Sequence, residues 1–167
     1  KAKLASSTTL SDTRNRDSST AHSETTVTYT YDGLGRLDSA AGAGTSTGDD
    51  GYGNRTDSTL RQAYTVINNQ ALLLESTTQS QQHDNDGAGS ESTTVMTYAY
   101  DQTSGRMTAA DSVTTSVSDD GFGNMTTSES RQQYAIISGQ ARVVRADGSS
   151  ETSNRDGSTA TGTSVTT

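Results

Sequence analysis

The chain reads as an all-β tandem array of hairpins, laid out as a meander, a spiral or a solenoid and open to polymerisation through its sheet edges. Three observations predict this class. Short motifs recur at an offset of 69 to 70 residues. Thr, Tyr, Val and Ile, which fit a pleated surface, cluster in runs of period two. Proline is absent from all 167 residues, so every backbone N–H can join a ladder.

Composition narrows the class further. Hydrophobic residues make up 28% of the chain, and 25 Ser and 30 Thr together supply a third of it. A thick core is not expected from such material, and thin apolar stripes closed by neighbouring copies are. The net charge of −8, with only 12 Lys and Arg, leaves no basic stripe for nucleic acid. The longest apolar run, Ala71–Leu74, is far too short to span a membrane as a helix. Cysteine is absent, which excludes a disulfide framework and thiolate metal sites.

The repeat is visible in four segments. Tyr29-Thr30-Tyr31-Asp32 returns as Tyr98-Ala99-Tyr100-Asp101, and Asp49-Asp50-Gly51-Tyr52-Gly53-Asn54 as Asp119-Asp120-Gly121-Phe122-Gly123-Asn124. Arg61-Gln62-Ala63-Tyr64 returns as Arg131-Gln132-Gln133-Tyr134, and Asn15-Arg16-Asp17 as Asn154-Arg155-Asp156. Between 49–67 and 119–137, 11 of 19 positions are identical. One extra residue between Asp101 and Gly105 accounts for the change of offset. The organisation is then the end of a truncated unit at 1–23, full units at 24–92 and 93–162, and the start of a third at 163–167. The chain is expected to be a piece of a longer array.

Each element follows from local chemistry. Val27, Tyr29 and Tyr31 share one face of a strand and Thr28 and Thr30 the other. Asp32-Gly33-Leu34-Gly35 is a tight turn, with Asp closing on its own backbone, and Arg36-Leu37 begins the return. Asp50–Asn54 is a second turn of the same kind, followed by strands expected at about 54–60 and 61–67. Asn68-Asn69, or Ser138-Gly139 in the copy, makes a third turn. The returning strand runs over 71–80 and 141–145. Asp86-Gly87 and Asp156-Gly157 make the fourth turn. No window carries a helical stripe.

At Tyr29-x-Tyr31-Asp32-x-x-Gly35-Arg36-Leu37 the sequence resembles the YD repeat, also called the RHS repeat, of bacterial and teneurin-like surface proteins. Asp50-x-x-Gly53-Asn54 is similar to the second half of that repeat. The second unit carries Tyr98-x-Tyr100-Asp101 and reaches Gly105-Arg106 one residue late. The resemblance implies a β-sheet spiral of packed tyrosines, used in that family as a hollow shell around a toxin or as an extracellular scaffold. It carries no catalytic residue over to this chain.

The candidate sites are few. His22 and His83 do not recur in the repeat, and surface positions are expected for both. Asp49, Asp50, Asp119 and Asp120 are the calcium candidates, since both copies keep two acids beside glycines, although turn chemistry accounts for them without a cation. Asp84-Asn85-Asp86-Gly87 is a fainter one, because its copies put Arg16 and Arg155 in the loop. Tyr29, Tyr31, Tyr98 and Tyr100 read as a packed stripe, with sugar stacking as the rival role. Asn54-Arg55-Thr56 and Asn124-Met125-Thr126 fit the glycosylation sequon. No activated nucleophile or paired base is visible, so no enzyme and no cofactor other than calcium is expected. The functional expectation is a structural repeat protein outside or on a bacterial cell, an adhesin or matrix fibre whose partners are neighbouring units or identical chains. A toxin-shell wall and a glycan-binding adhesin are the alternatives.

Overall fold

The computed structural model describes residues 2–167. Ten strands run in chain order: β1 (Ser6–Arg14), β2 (Thr20–Tyr31), β3 (Leu37–Asp49), β4 (Arg55–Ile67), β5 (Gln70–His83), β6 (Gly89–Tyr100), β7 (Met107–Asp119), β8 (Met125–Ile137), β9 (Gln140–Ser153) and β10 (Thr159–Thr166). They form one open sheet in the order β1 to β10, and each consecutive pair is antiparallel. This is the hairpin array expected from the repeat. β2 to β5 of the first unit recur as β6 to β9 of the second.

The segment read as two strands at 54–60 and 61–67 is one continuous strand, β4. Nothing at Leu60-Arg61 is a turn residue, and the alternation of faces runs straight through.

The two ends of the strands differ. At one end, five turns follow one plan: Asn15–Ser19, Asp50–Asn54, Asp84–Ala88, Asp120–Asn124 and Asn154–Ser158 each close with a bond from the first N–H to the fifth carbonyl. At the other end, all four hairpins carry a one-residue bulge, at Asp38, Leu74, Thr108 and Val144. Each bulge lies opposite the step into a tyrosine, namely Tyr31, Tyr64, Tyr100 and Tyr134. A bulge adds twist and bends its strand. β3 and β5 approach each other across β4, as β7 and β9 do across β8, so the sheet bends at the same strand of each unit.

The molecule is a single layer with very little core. Ala40, Ile67 and Ala110 are the buried hydrophobic residues among those described. Ala40 pairs with Tyr29, and the pairing of Ala41 with Ala63 sets it beside Tyr64. Ala110 sits likewise between Tyr98 and Tyr134. A small residue between two tyrosines lets both rings close over it, and this is the apolar packing that each unit contains.

Candidate functional site

Three arrangements carry what this chain can do: a belt of turns, a joint between units, and a sheet face without charge.

The belt is built from the predicted turn acids. Asp50 Oδ1 accepts from the N–H groups of Tyr52 at 2.8 Å and Asn54 at 3.1 Å, and Asp120 does the same for Phe122 and Asn124. Asp49 and Asp119 accept from the N–H groups of Gly51 at 2.7 Å and Gly121 at 2.8 Å. Bonds from Tyr52 and Asn54 hold the Asp50 carboxyl below the usual carboxylate range. Those from Asn124 and Phe122 do so for Asp120. The calcium candidates are therefore engaged as turn acceptors. No cluster of three or more His, Asp or Glu that could hold a metal occurs among the described residues.

Gly51, Gly53, Gly121 and Gly123 all have positive φ. A Cβ on Gly51 would lie 2.7 Å from the Asp17 carbonyl of the preceding turn, so only glycine lets these turns touch. The Asn54 side chain accepts from the Asn85 N–H at 2.9 Å, and Asn124 accepts from the Arg155 N–H at 2.9 Å. The second turn thus grips the third, and the fourth the fifth. Both sequon asparagines are spent in this belt, since their amides also donate to Asp50 and Asp120. Tyr52 and Phe122 project from it and are 73% and 75% exposed.

The joint lies at the bulged end. The Tyr100 hydroxyl donates to the Leu73 carbonyl at 2.8 Å. Tyr31 donates to the Leu4 carbonyl at 2.9 Å in the same way. Leu4 and Leu73 are equivalent at the 69-residue offset, so the same bond joins each unit to the segment before it. The turn after Tyr100 folds onto the previous unit: Asn68 donates to the Thr103 carbonyl at 2.9 Å, and the position of a Cβ on Gly105 lies 3.7 Å from Ile67. Ile67 is 4% exposed beneath that turn, whereas its copy Ile137 is 50% exposed. Asp32 holds the first such turn by accepting from the N–H groups of Leu34 and Arg36 and pairing with the Arg36 guanidinium at 2.8 Å. Asp101 holds the second through Ser104 and Thr103. Arg106 donates only its backbone N–H to Ser104, so the extra residue replaces the Arg36 ion pair with a hydroxyl contact.

The tyrosines of the stripe differ in partners. Tyr64 and Tyr134 donate to Gln62 at 3.0 Å and Gln132 at 2.8 Å, and Tyr98 to the Met96 sulfur. Partial burial pushes the Tyr64, Tyr98 and Tyr100 hydroxyls up, helped by a neighbouring tyrosine in each case. Of the two histidines, His22 meets Asp12 at 2.7 Å on the exposed surface.

The sheet register sorts the side chains into two unlike faces. On one face lie the charged strand residues, among them Asp12, Glu24, Asp57, Arg61, Glu91 and Arg131. Asp38, at its bulge, is the exception to the pairing. The paired strand residues of the other face carry no ionisable group except the tyrosine hydroxyls, and Lys3, from outside the strands, lies over the Tyr31 ring 5.1 Å from its centroid. A single row of serines crosses this face. Ser11, Ser23, Ser46, Ser58 and Ser80 pair in turn from β1 to β5. Ser92, Ser116, Ser128 and Ser150 continue the row to β9, and Gly162 ends it on β10. Local reading of the sequence missed this ladder, although its signal is present: Ser46, Ser58 and Ser80 return as Ser116, Ser128 and Ser150 at the 70-residue offset, with only Ser92 giving way to Gly162.

No family model matches this chain, and no curated protein or solved structure matches it either. No helix among the described residues is long and apolar enough to cross a membrane.

Proposed function

We propose that this chain is a segment of an extracellular structural repeat protein, a bacterial surface adhesin or matrix fibre built from β units that resemble the YD repeat. The observation that carries this reading is the repeated joint. Tyr31 and Tyr100 make the same bond to the segment before their unit, and Ile67 is covered only because another unit follows it. Units that complete one another in this way extend a chain's reach without a catalytic centre. The Ser/Thr-rich, cysteine-free composition supports an extracellular setting. The test is to append a further copy of residues 93–162 and follow denaturation. Stability that rises with each added unit, with elongated particles in electron microscopy, is the expected result. Independent melting of every unit would remove the reading.

A second reading, the wall of a YD-type toxin shell, is favoured by the bend at β4 and again at β8, which accumulates into curvature along an array. It requires a distinct toxic domain downstream in the parent protein, and a parent without one would exclude it.

A further inference from the structure

The uncharged face is asymmetric along the strands. Its tyrosine half packs on itself and ends at the joints between units. Its ladder half, from the serine row to the rows on either side, holds small neutral side chains such as Thr25, Gly44, Gly48, Thr114 and Gly148. Leu60 and Gln82, one in each flanking row, are the large side chains of this half, and the rest of it leaves the layer open to water.

We propose that the ladder half of the uncharged face is a self-association surface, which pairs with the same surface of a second copy of this chain, serine row on serine row. The inference rests on the structural-array reading and names the surface through which copies meet.

Three observations lead there. The first is charge. Acids outnumber arginines on the opposite face and the chain carries −8 overall, so two charged faces repel, while two ladder faces bring no ionised group together. The second is hydroxyl bonding. Ser58 pairs with Ser80 at 2.9 Å, Ser116 with Ser128 at 2.7 Å, Thr94 with Thr114 at 2.9 Å and Thr126 with Thr152 at 2.8 Å. Each such pair spends one hydroxyl donor within the sheet and leaves the other free to bond a hydroxyl of the facing copy. The third is size. Ten strands at roughly 4.8 Å and three rows at roughly 6.8 Å give about 900 Å² per partner, against roughly 800 Å² in a standard stable interface.

The geometry also fits an isologous contact. A two-fold axis along the ladder sets each serine over its own counterpart. A glycan would need open aromatic rings on this face, and its tyrosines lie outside the ladder half with Tyr64, Tyr98, Tyr100 and Tyr134 bonded to protein groups.

The experiment is light scattering of the purified chain over a range of concentration, with two variants of one strand. Ser116→Asp puts a carboxylate on the ladder, and Thr115→Asp puts the same charge on the opposite face. A wild-type dimer that Ser116→Asp weakens roughly tenfold or more, and that Thr115→Asp leaves in place, is expected. Oxidation of Ser116→Cys, which keeps the small side chain, is expected to give a disulfide-linked dimer, and of Thr115→Cys none. A wild type that stays monomeric at every concentration overturns the proposal, and shifts of ladder resonances on adding a neutral glucan would then reassign the face to sugar. A dimer indifferent to Ser116→Asp overturns it in favour of pairing at the β1 and β10 edges. Loss of the proposal on these grounds leaves the array reading intact if stability still rises with unit number.

Discussion

The Tyr100 hydroxyl reaches across the boundary between repeats to the Leu73 carbonyl, 2.8 Å away and 27 residues earlier. The bond is half-sheltered, so removing it leaves a carbonyl short of a partner where water competes only partly. Tyr100→Phe keeps the ring and deletes the donor. It is expected to lower the free energy of unfolding by about 1 kcal/mol, read as a lower denaturant midpoint with an unchanged slope.

Ile67 and Ile137 occupy equivalent positions with opposite surroundings, at 4% and 50% exposed. Ile67→Ala empties a site closed by the next unit's turn and is expected to cost about 2 kcal/mol or more. Ile137→Ala removes a side chain already half in water and is expected to cost under about 1 kcal/mol. Denaturant titration of both variants checks the difference, and equal losses would disprove the covering role of the 101–106 turn.

Gly51 combines φ of +79° with a Cβ position 2.7 Å from the Asp17 carbonyl. Gly51→Ala is expected to destabilise by about 1–3 kcal/mol. Gly33→Ala, where no atom lies within 4 Å, is expected to be near neutral. Thermal melts of the two variants compare them directly.

The turn aspartates make the fold acid-sensitive. Asp17, Asp32, Asp50, Asp101, Asp120 and Asp156 all titrate below the ordinary value of 3.8 because turn N–H and side-chain donors favour the carboxylate. Their stabilisation is complete above the unfolded-state value and is lost as pH falls through the lowered folded values. Circular dichroism melts are expected to be flat from neutral pH to about 5 and to drop below about 4. Asp50→Asn is expected to shrink that drop. Calcium at millimolar concentration is expected to leave the melt unchanged, and a rise that Asp50→Asn abolishes would assign a cation to Asp49 and Asp50.

Much of the fold was legible because its determinants are local. Asp-Gly and Asn-Asn pairs mark turns through their own side chains and their tolerance of positive φ, and Asn68 and Asn69, at 53° and 63°, sit where the sequence put a turn. The alternation of Val27, Tyr29 and Tyr31 carries its face assignment within one strand. The belt, the joints and the ladder were not legible in that way. Asn54 reaching Asn85, or Ser80 lying between Ser58 and Ser92, depends on the register of neighbouring strands, which no single segment encodes. The bulges opposite Tyr31, Tyr64, Tyr100 and Tyr134 shift that register by one residue and have no signature of their own in the sequence. Asp49, Asp50, Asp119 and Asp120 show the converse: acids beside glycines are common to cation loops and to turns, and the N–H groups they accept from here emerge only in the fold.

The order β1 to β10 has a mechanical consequence. β1 begins and β10 finishes at the same end of the strands, on opposite edges of the layer. Tension between the two ends of the chain therefore pulls across the strands and opens the interstrand hydrogen bonds one after another, as a zip opens, instead of shearing many at once. Each strand is held only by its two neighbours, and one of 13 residues, once released, adds up to roughly 45 Å of slack. Such a sheet yields in small steps under load and can re-form each hairpin when the load is removed, which makes the layer an extensible element with very little core to rupture.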